Sequence, residues 1–202
     1  MRTQKDAKAA LVRAWPEIVR QCRQVLGSEL HYQAVVYHCL RTVGRVPIAQ
    51  LGMNVKMGLY SPKTAYWRKR ADSRHEDYRG HCEPIPDVAL FAPEIGGDWR
   101  RRKYLETLRH ILCAVELKAS ERDGYHLRPA EIIEDIKKLA SHRRERKYRH
   151  GRGFHAAVMV IDTTDKPDEQ MTEEHRREIR TAARAARVQF FYVSRQHSVP
   201  ET

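Results

Sequence analysis

The sequence lacks any long apolar run. Among its 202 residues, no stretch approaches the roughly 20 consecutive apolar residues that a membrane-spanning helix requires. The first residues, Met1 to Asp6, contain no apolar core of a secretory signal peptide. No lipidation motif or basic amphipathic anchor is evident either. These absences predict a cytoplasmic protein that is not attached to a membrane.

Cysteine is scarce and scattered. None of the four cysteines belongs to a CxxC pair, which argues against a zinc knuckle and against a disulfide framework. We therefore expect reduced cysteines that fill the core. They are Cys22, Cys39, Cys82 and Cys113.

Several catalytic patterns are also missing. The 11 histidines form no HxH or HxxxH pair, so a histidine-based metal site or nuclease mechanism has no anchoring motif. A GxSxG nucleophile elbow is absent as well, which disfavours serine hydrolase chemistry. The chain contains no internal repeat, low-complexity segment or clear linker. We therefore predict a single domain over residues 1–202.

Positive charge is abundant. With 38 Lys and Arg against 26 Asp and Glu, the formal net charge is +12, and nucleic acid is the commonest polyanionic partner. Three basic runs with nearby aromatic residues predict contacts to duplex DNA, although such runs also occur as solvated surface. Phosphate contacts do not read sequence, so no target follows from them. The runs comprise Arg68, Lys69 and Arg70; Arg100, Arg101, Arg102 and Lys103; and Arg143, Arg144, Arg146, Lys147, Arg149 and Arg152.

One stretch combines a buried strand with charge. Five apolar residues, Ile111 to Val115, precede Glu116 and Lys118, which project from the same face of a strand. Buried charges of this kind need partners. A second strand-like run upstream, Cys82 to Phe91, carries Asp87. Pairing of the two strands would bring the three charged residues together as a metal site with a basic neighbour. The alternative is an internal ion-paired cluster without chemistry.

Pro86-Asp87, followed after a gap by Glu116-Leu117-Lys118, resembles the signature of the PD-(D/E)xK, or restriction-endonuclease-like, nuclease superfamily. The resemblance implies that Asp87 and Glu116 bind Mg²⁺, for which Mn²⁺ substitutes, and that the backbone carbonyl of Leu117 is a third ligand. Lys118 would position or help deprotonate the attacking water. Members often carry an acidic residue on the first core helix, and Glu29 opens the helix expected there. The alternative for Glu29 is a carboxylate that complements the helix dipole.

The apolar periodicity predicts an α/β fold, with a mixed β-sheet flanked by helices. The superfamily's αβββαβ core fits the predicted elements from Glu29 to Ile161. We assign 1–26 to an N-terminal helical extension and 29–194 to the nuclease core with its basic insertions. The predicted helices cover 5–26, 29–42, 98–109, 129–146 and 172–187, and the predicted strands cover 46–60, 82–91, 111–118, 154–161 and 188–194.

These observations predict a Mg²⁺-dependent endonuclease that hydrolyses phosphodiester bonds in DNA. Two alternatives stay open: a non-cleaving nucleic-acid-binding or assembly subunit with the same fold, and an RNA-directed nuclease. Such folds carry one site per chain, so cutting both strands would require a homodimer or a partner protein, which could also supply specificity. Glu76 and Glu83 could reach the site as well, but their spacing does not select them.

Overall fold

The computed structural model describes residues 1–73, 80–100, 104–120, 124 and 126–201. Helices and strands of very different length follow one another along this part of the chain. The helices are α1 (Gln4–Cys22), α2 (Glu29–Thr42), α3 (Ala65–Asp72), α4 (Tyr104–His110), α5 (Pro129–His150) and α6 (Glu173–Ala186). The strands are β1 (Leu51–Met53), β2 (Leu59–Tyr60), β3 (His81–Cys82), β4 (Val88–Phe91), β5 (Ile111–Ala119), β6 (His155–Asp162), β7 (Gln189–Ser194) and β8 (Ser198–Glu201).

Six strands form the central sheet, in the order β1-β4-β5-β6-β7-β8. Strands β1, β4 and β5 form an antiparallel meander, whereas β5, β6 and β7 are parallel. Parallel neighbours require crossover connections, and α5 and α6 provide them. β8 closes the far edge in antiparallel orientation. The predicted mixed sheet flanked by helices is therefore confirmed.

Two hydrophobic layers enclose this sheet, one on each face. Helices α1 and α2 cover one face, and α5 and α6 cover the other. Side chains of β5 alternate between the layers: Val115 and Leu117 pack toward α1 and α2, whereas Ala114 packs toward α5. Glu116 shares the Ala114 face, so this carboxylate is directed into the α5 layer.

Side-chain hydroxyls cap the starts of two helices. The Ser28 hydroxyl accepts a hydrogen bond from the His31 amide at 3.4 Å, and the Thr172 hydroxyl accepts one from the His175 amide at 3.2 Å. Ser and Thr are favoured at these positions because they satisfy amides that the first helical turn leaves open. Thr3 and Asp6 form an additional capping box at α1.

The predicted strand over 46–60 is wrong in its extent. β1 ends at Met53 because Asn54 adopts a left-handed backbone conformation (φ 50°), and β2 belongs to a separate two-stranded sheet with β3. The predicted strand over 82–91 is likewise split, because Pro84 and Pro86 have no amide hydrogen to donate to a ladder. Asp87 lies immediately before β4.

Other boundaries also differ from prediction. The first helix ends at Cys22, four residues before the predicted end, and β8 lies beyond the last predicted strand. α4 begins at Tyr104, and the preceding residues 101–103 lie outside the described part of the chain. The cysteines are all buried and unbonded to one another. Within the described ranges, no helix has both the length and the apolar character needed to cross a bilayer.

Candidate active site

The candidate site lies where β4 begins and β5 ends. The two strands are antiparallel with Val88 opposite Val115, so continuing this register by one residue sets Asp87 opposite Glu116. Asp87 Oδ2 accepts a hydrogen bond from the Leu117 amide at 2.6 Å. Lys118 follows two residues after Glu116 and projects from the same face. The structure therefore brings together the three charged residues that the sequence pattern selected.

Asp87 is almost completely buried. Its Oδ1 accepts a hydrogen bond from Gln33 Nε2 at 2.9 Å, and Gln33 Oε1 in turn accepts one from Asn54 Nδ2 at 3.0 Å. Burial raises the pKa of Asp87 to about 6, and the nearby Glu29 carboxylate acts in the same direction. The hydrogen bond from the Leu117 amide opposes this rise without cancelling it.

Glu116 is more deeply buried, with 3% of its surface exposed. Burial raises the pKa of this carboxyl to about 8, and the neighbouring Asp87 adds to the rise. Lys138, on α5, opposes it, because its Nζ lies 2.7 Å from Glu116 Oε2. Glu116 therefore keeps its proton to higher pH than an ordinary glutamic acid does.

Lys118 has two acidic neighbours from different helices. Its Nζ lies 3.1 Å from Glu29 Oε2 and 3.5 Å from Asp135 Oδ2. Burial lowers the pKa of this lysine, but the two carboxylates outweigh burial and raise it overall. Glu29 thus lies at the site as the helix-opening acidic residue, and it contacts the lysine of the motif.

Three polar residues at the site were not predicted: Gln33, Asp135 and Lys138. Asp135 and Lys138 are three residues apart on α5, 3.1 Å from one another, beside the apolar stripe of that helix. Gln33 follows Glu29 by four residues, which is one helical turn. A search for polar side chains bordering an apolar stripe would have found them.

The cluster has more negative than positive charge. It contains four carboxylates and two ammonium groups, so its formal charge is −2 when every group is ionised. The raised pKa values of Asp87 and Glu116 mean that protons take the place of missing positive charge. A divalent cation would supply that charge. The members are Glu29, Asp87, Glu116 and Asp135, with Lys118 and Lys138.

The donor set suits a hard cation that keeps several waters. Among the residues that the structure describes, no group of three His, Cys, Asp or Glu side chains is arranged to hold a metal ion. Asp87 and Glu116 offer two carboxylates, and Mg²⁺ is usually bound through one or two carboxylates while it keeps several waters. Glu83 is paired with Lys56 at 2.9 Å, and Glu76 lies outside the described residues.

No protein-family model, curated protein or solved structure matches the chain.

The first two basic runs lie mainly at the surface. Arg68 and Lys69 are exposed on α3, while Arg70 contacts Glu134 at 3.0 Å. Arg100 is exposed and bonds Asp98 at 2.9 Å. The remaining members of the second run, Arg101, Arg102 and Lys103, lie outside the described residues.

Most of the third basic run lies in α5, and Arg152 follows the end of that helix. Arg143 donates hydrogen bonds to the carbonyl oxygens of Ala186 and Arg187, both at 2.5 Å, and Arg149 donates one to that of Tyr60 at 2.6 Å. These bonds tie the end of α5 to α6 and to the small sheet. The exposed members are Arg144, Lys147 and Arg152.

Arg146 has to be removed from the predicted nucleic-acid contacts. Its side chain is fully buried, and its guanidinium donates to the backbone carbonyls of Leu108, Arg109, Arg152 and Gly153. A guanidinium that is enclosed and bonded in this way has a structural role, because it satisfies carbonyl oxygens inside the protein.

Proposed function

We propose that this protein is a metal-dependent DNA endonuclease of the PD-(D/E)xK type. The observation that carries the proposal is the position of Asp87 opposite Glu116, where β4 begins and β5 ends, with Lys118 on the same face. Two carboxylates with raised pKa values beside a lysine are typical of catalytic sites rather than of ordinary ion pairs.

The order of elements supports the proposed superfamily. From α2 to β6, the helix, three antiparallel strands, crossover helix and parallel strand occur in the αβββαβ order. The small sheet and α3 and α4 are insertions in that order. The extension helix α1 packs into the same hydrophobic core as α2 and β5. The chain would therefore form one nuclease domain.

The chemistry assigns one task to each side chain. Asp87, Glu116 and the Leu117 carbonyl would hold Mg²⁺ or Mn²⁺, which when bound neutralises charge on the scissile phosphate and activates water. Lys118 would orient that water or stabilise the phosphate. Glu29 and Asp135 position the ammonium group of Lys118 and keep it charged.

The proposed substrate is duplex DNA in the cytoplasm. Exposed cations of the three basic runs would contact its phosphates and make binding depend strongly on salt. These are Arg68, Lys69, Arg70, Arg100, Arg144, Lys147 and Arg152. One catalytic cluster per chain means that a double-strand cut would need a second copy or a partner protein.

Ion pairing inside the cluster favours a second candidate function, nucleic-acid binding without cleavage. Lys138 already contacts Glu116, and Lys118 already contacts Glu29 and Asp135, so the buried charges have protein partners without a cation. A subunit that binds nucleic acid without cutting it would have the same contacts. Cleavage assays separate the two functions.

Cleavage of supercoiled plasmid is the direct test. We expect nicking or linearisation by the wild type with Mg²⁺ or Mn²⁺ and none in EDTA. Lys118→Ala should lose activity by about 10²-fold or more, since one charged group at the reacting phosphate is removed. Exposed Lys137→Ala is the matched control.

Activity that survives in Lys118→Ala would reject the proposed site. A wild type that binds duplex DNA without cutting it under any metal condition would favour the binding subunit. Competition by single-stranded DNA and RNA identifies the preferred nucleic acid.

Lys138→Met should move the pH dependence of cleavage. Burial raises the pKa of Glu116 and Lys138 opposes this rise, which leaves the pKa at about 8. Removal of the Lys138 ammonium group would therefore raise the pKa of Glu116 further. Because the metal requires the ionised carboxylate, we expect the rising limb of the pH–kcat/KM profile to shift to higher pH by about one unit. Lys137→Met provides the control, and an unshifted profile for Lys138→Met would contradict the assigned role.

A further inference from the structure

We propose that a second site, a cationic cleft at the opposite end of the sheet, binds a phosphate group. The cleft has a volume of about 330 Å³ and lies among α1, α6 and the first residues of β6 and β7. The lining residues that carry the argument are Lys8, His155, Arg184, Arg187 and Gln189. Such a volume accommodates a small ligand.

This cleft is separate from the candidate active site. Lys118 pairs with Val160 of β6, whereas His155 is the first residue of that strand. Five residues of strand at roughly 3.3 Å each give about 16 Å between the two levels. A phosphate in the cleft would not contact Asp87 or Glu116.

Positive charge converges on the cleft from two helices. No carboxylate is among its described lining residues, which include Arg184 and Arg187 at the end of α6. Cations at a helix C-terminus also complement its dipole. Lys8 cannot be explained in that way, since it belongs to α1. Burial lowers the pKa of His155, and the charges of Lys8 and Arg143 act in the same direction. This concentration of positive charge favours an anionic ligand.

Gln189 provides the second, independent observation. Its side chain is 6% exposed, and its Oε1 accepts a hydrogen bond from His155 Nε2 at 2.8 Å. Its Nε2 finds no acceptor among the described residues, although a buried amide donor is costly to leave unsatisfied. Gln189 lines the cleft, so a phosphate oxygen there would accept from this donor once the amide turns toward it. The same oxygen would be attracted to the surrounding cations.

The backbone at Arg187 makes a clean test possible. Arg187 ends α6 in a left-handed conformation (φ 54°), where glycine is the favoured residue. Arg187→Gly would therefore delete the guanidinium while relieving backbone strain. We expect this variant to fold with an undiminished thermal midpoint, so lost binding would not reflect unfolding.

Calorimetric titrations in EDTA test the cleft without any metal chemistry. The probes are inorganic phosphate, a nucleoside monophosphate and a short 5′-phosphorylated DNA strand, each at low ionic strength. We expect saturable binding of at least one probe, weakened roughly tenfold or more by Arg187→Gly and by Lys8→Ala. The controls are the exposed Arg177→Ala on α6 and Lys5→Ala on α1.

The tightest probe would distinguish free phosphate, a nucleotide and a nucleic-acid backbone as the source of the phosphate. Absence of binding by all three probes, or equal binding by Arg187→Gly, Lys8→Ala and the wild type, would overturn the proposal. The titrations are repeated on Glu116→Gln. Binding there is expected to be unchanged, so the outcome is independent of whether the protein cleaves DNA.

Discussion

Glu116→Gln should abolish metal-dependent cleavage and, at the same time, stabilise the metal-free protein at pH 8. The amide keeps the shape of the side chain and can still accept a hydrogen bond from Lys138, but it is a poor ligand for Mg²⁺. We expect cleavage to fall by at least about 10²-fold. Function and stability would then change in opposite directions at one residue.

The stabilisation follows from the raised pKa of Glu116. The folded carboxyl has a pKa of about 8 against an ordinary value of 4.5, so between these values the folded state binds more protons than the unfolded state. The contribution of Glu116 to stability is therefore present below pH 4.5 and is lost as pH rises to 8. Glutamine does not titrate, so it should gain about 1–3 kcal/mol over wild type at pH 8.

Thermal unfolding in EDTA at pH 5 and pH 8 checks this expectation. The advantage of Glu116→Gln should be larger at pH 8, whereas the exposed Glu131→Gln should show no such difference. Added Mg²⁺ should stabilise the wild type and not the Gln variant. A Gln variant that is less stable than wild type at pH 8 would mean that the ion pair with Lys138 outweighs the burial of Glu116.

Arg146→Met should destabilise the fold by about 3–5 kcal/mol, because several buried carbonyl groups would lose their donor and each unsatisfied group costs about 1–3 kcal/mol. The guanidinium is fully buried and bonds four backbone carbonyls, which join α5 to the end of α4 and to the loop before β6. Methionine fills much of the volume but cannot donate to these oxygens. Buried carbonyls would therefore lose their partners.

Urea unfolding measures the effect through the midpoint at an unchanged slope. Arg144→Met, on an exposed position of the same helix, should change the free energy of unfolding by no more than about 0.5 kcal/mol. If the two variants were equally stable, Arg146 would have no structural role and could be returned to the nucleic-acid contacts.

Local sequence patterns predicted much of the architecture. Uninterrupted apolar runs identified β5, β6 and β7, because strands covered on both faces exclude polar residues. The predicted helix over 29–42 matches α2, and the predicted helix over 172–187 matches α6 within one residue at each end. The β4–β5 juxtaposition of Asp87 with Glu116 was also predictable, since each carboxylate adjoins an apolar strand.

Boundaries near irregular backbone were less predictable. The run over 46–60 looks like one strand, yet the left-handed Asn54 divides it, and β2 pairs with β3 instead of joining the main sheet. The short β8 has too few residues for its alternation to stand out from a polar tail.

By itself, the sequence determined the α/β class and the apolar strands that charged residues adjoin. It also determined the choice of Asp87, Glu116 and Lys118 as a candidate site. Only the tertiary structure decided which cations are interior, as Arg146 is, and which helical residues complete the charge cluster, as Asp135 and Lys138 do. The reason is physical: periodicity records which side of an element faces the core, whereas burial, pKa and ion pairing depend on groups distant in sequence.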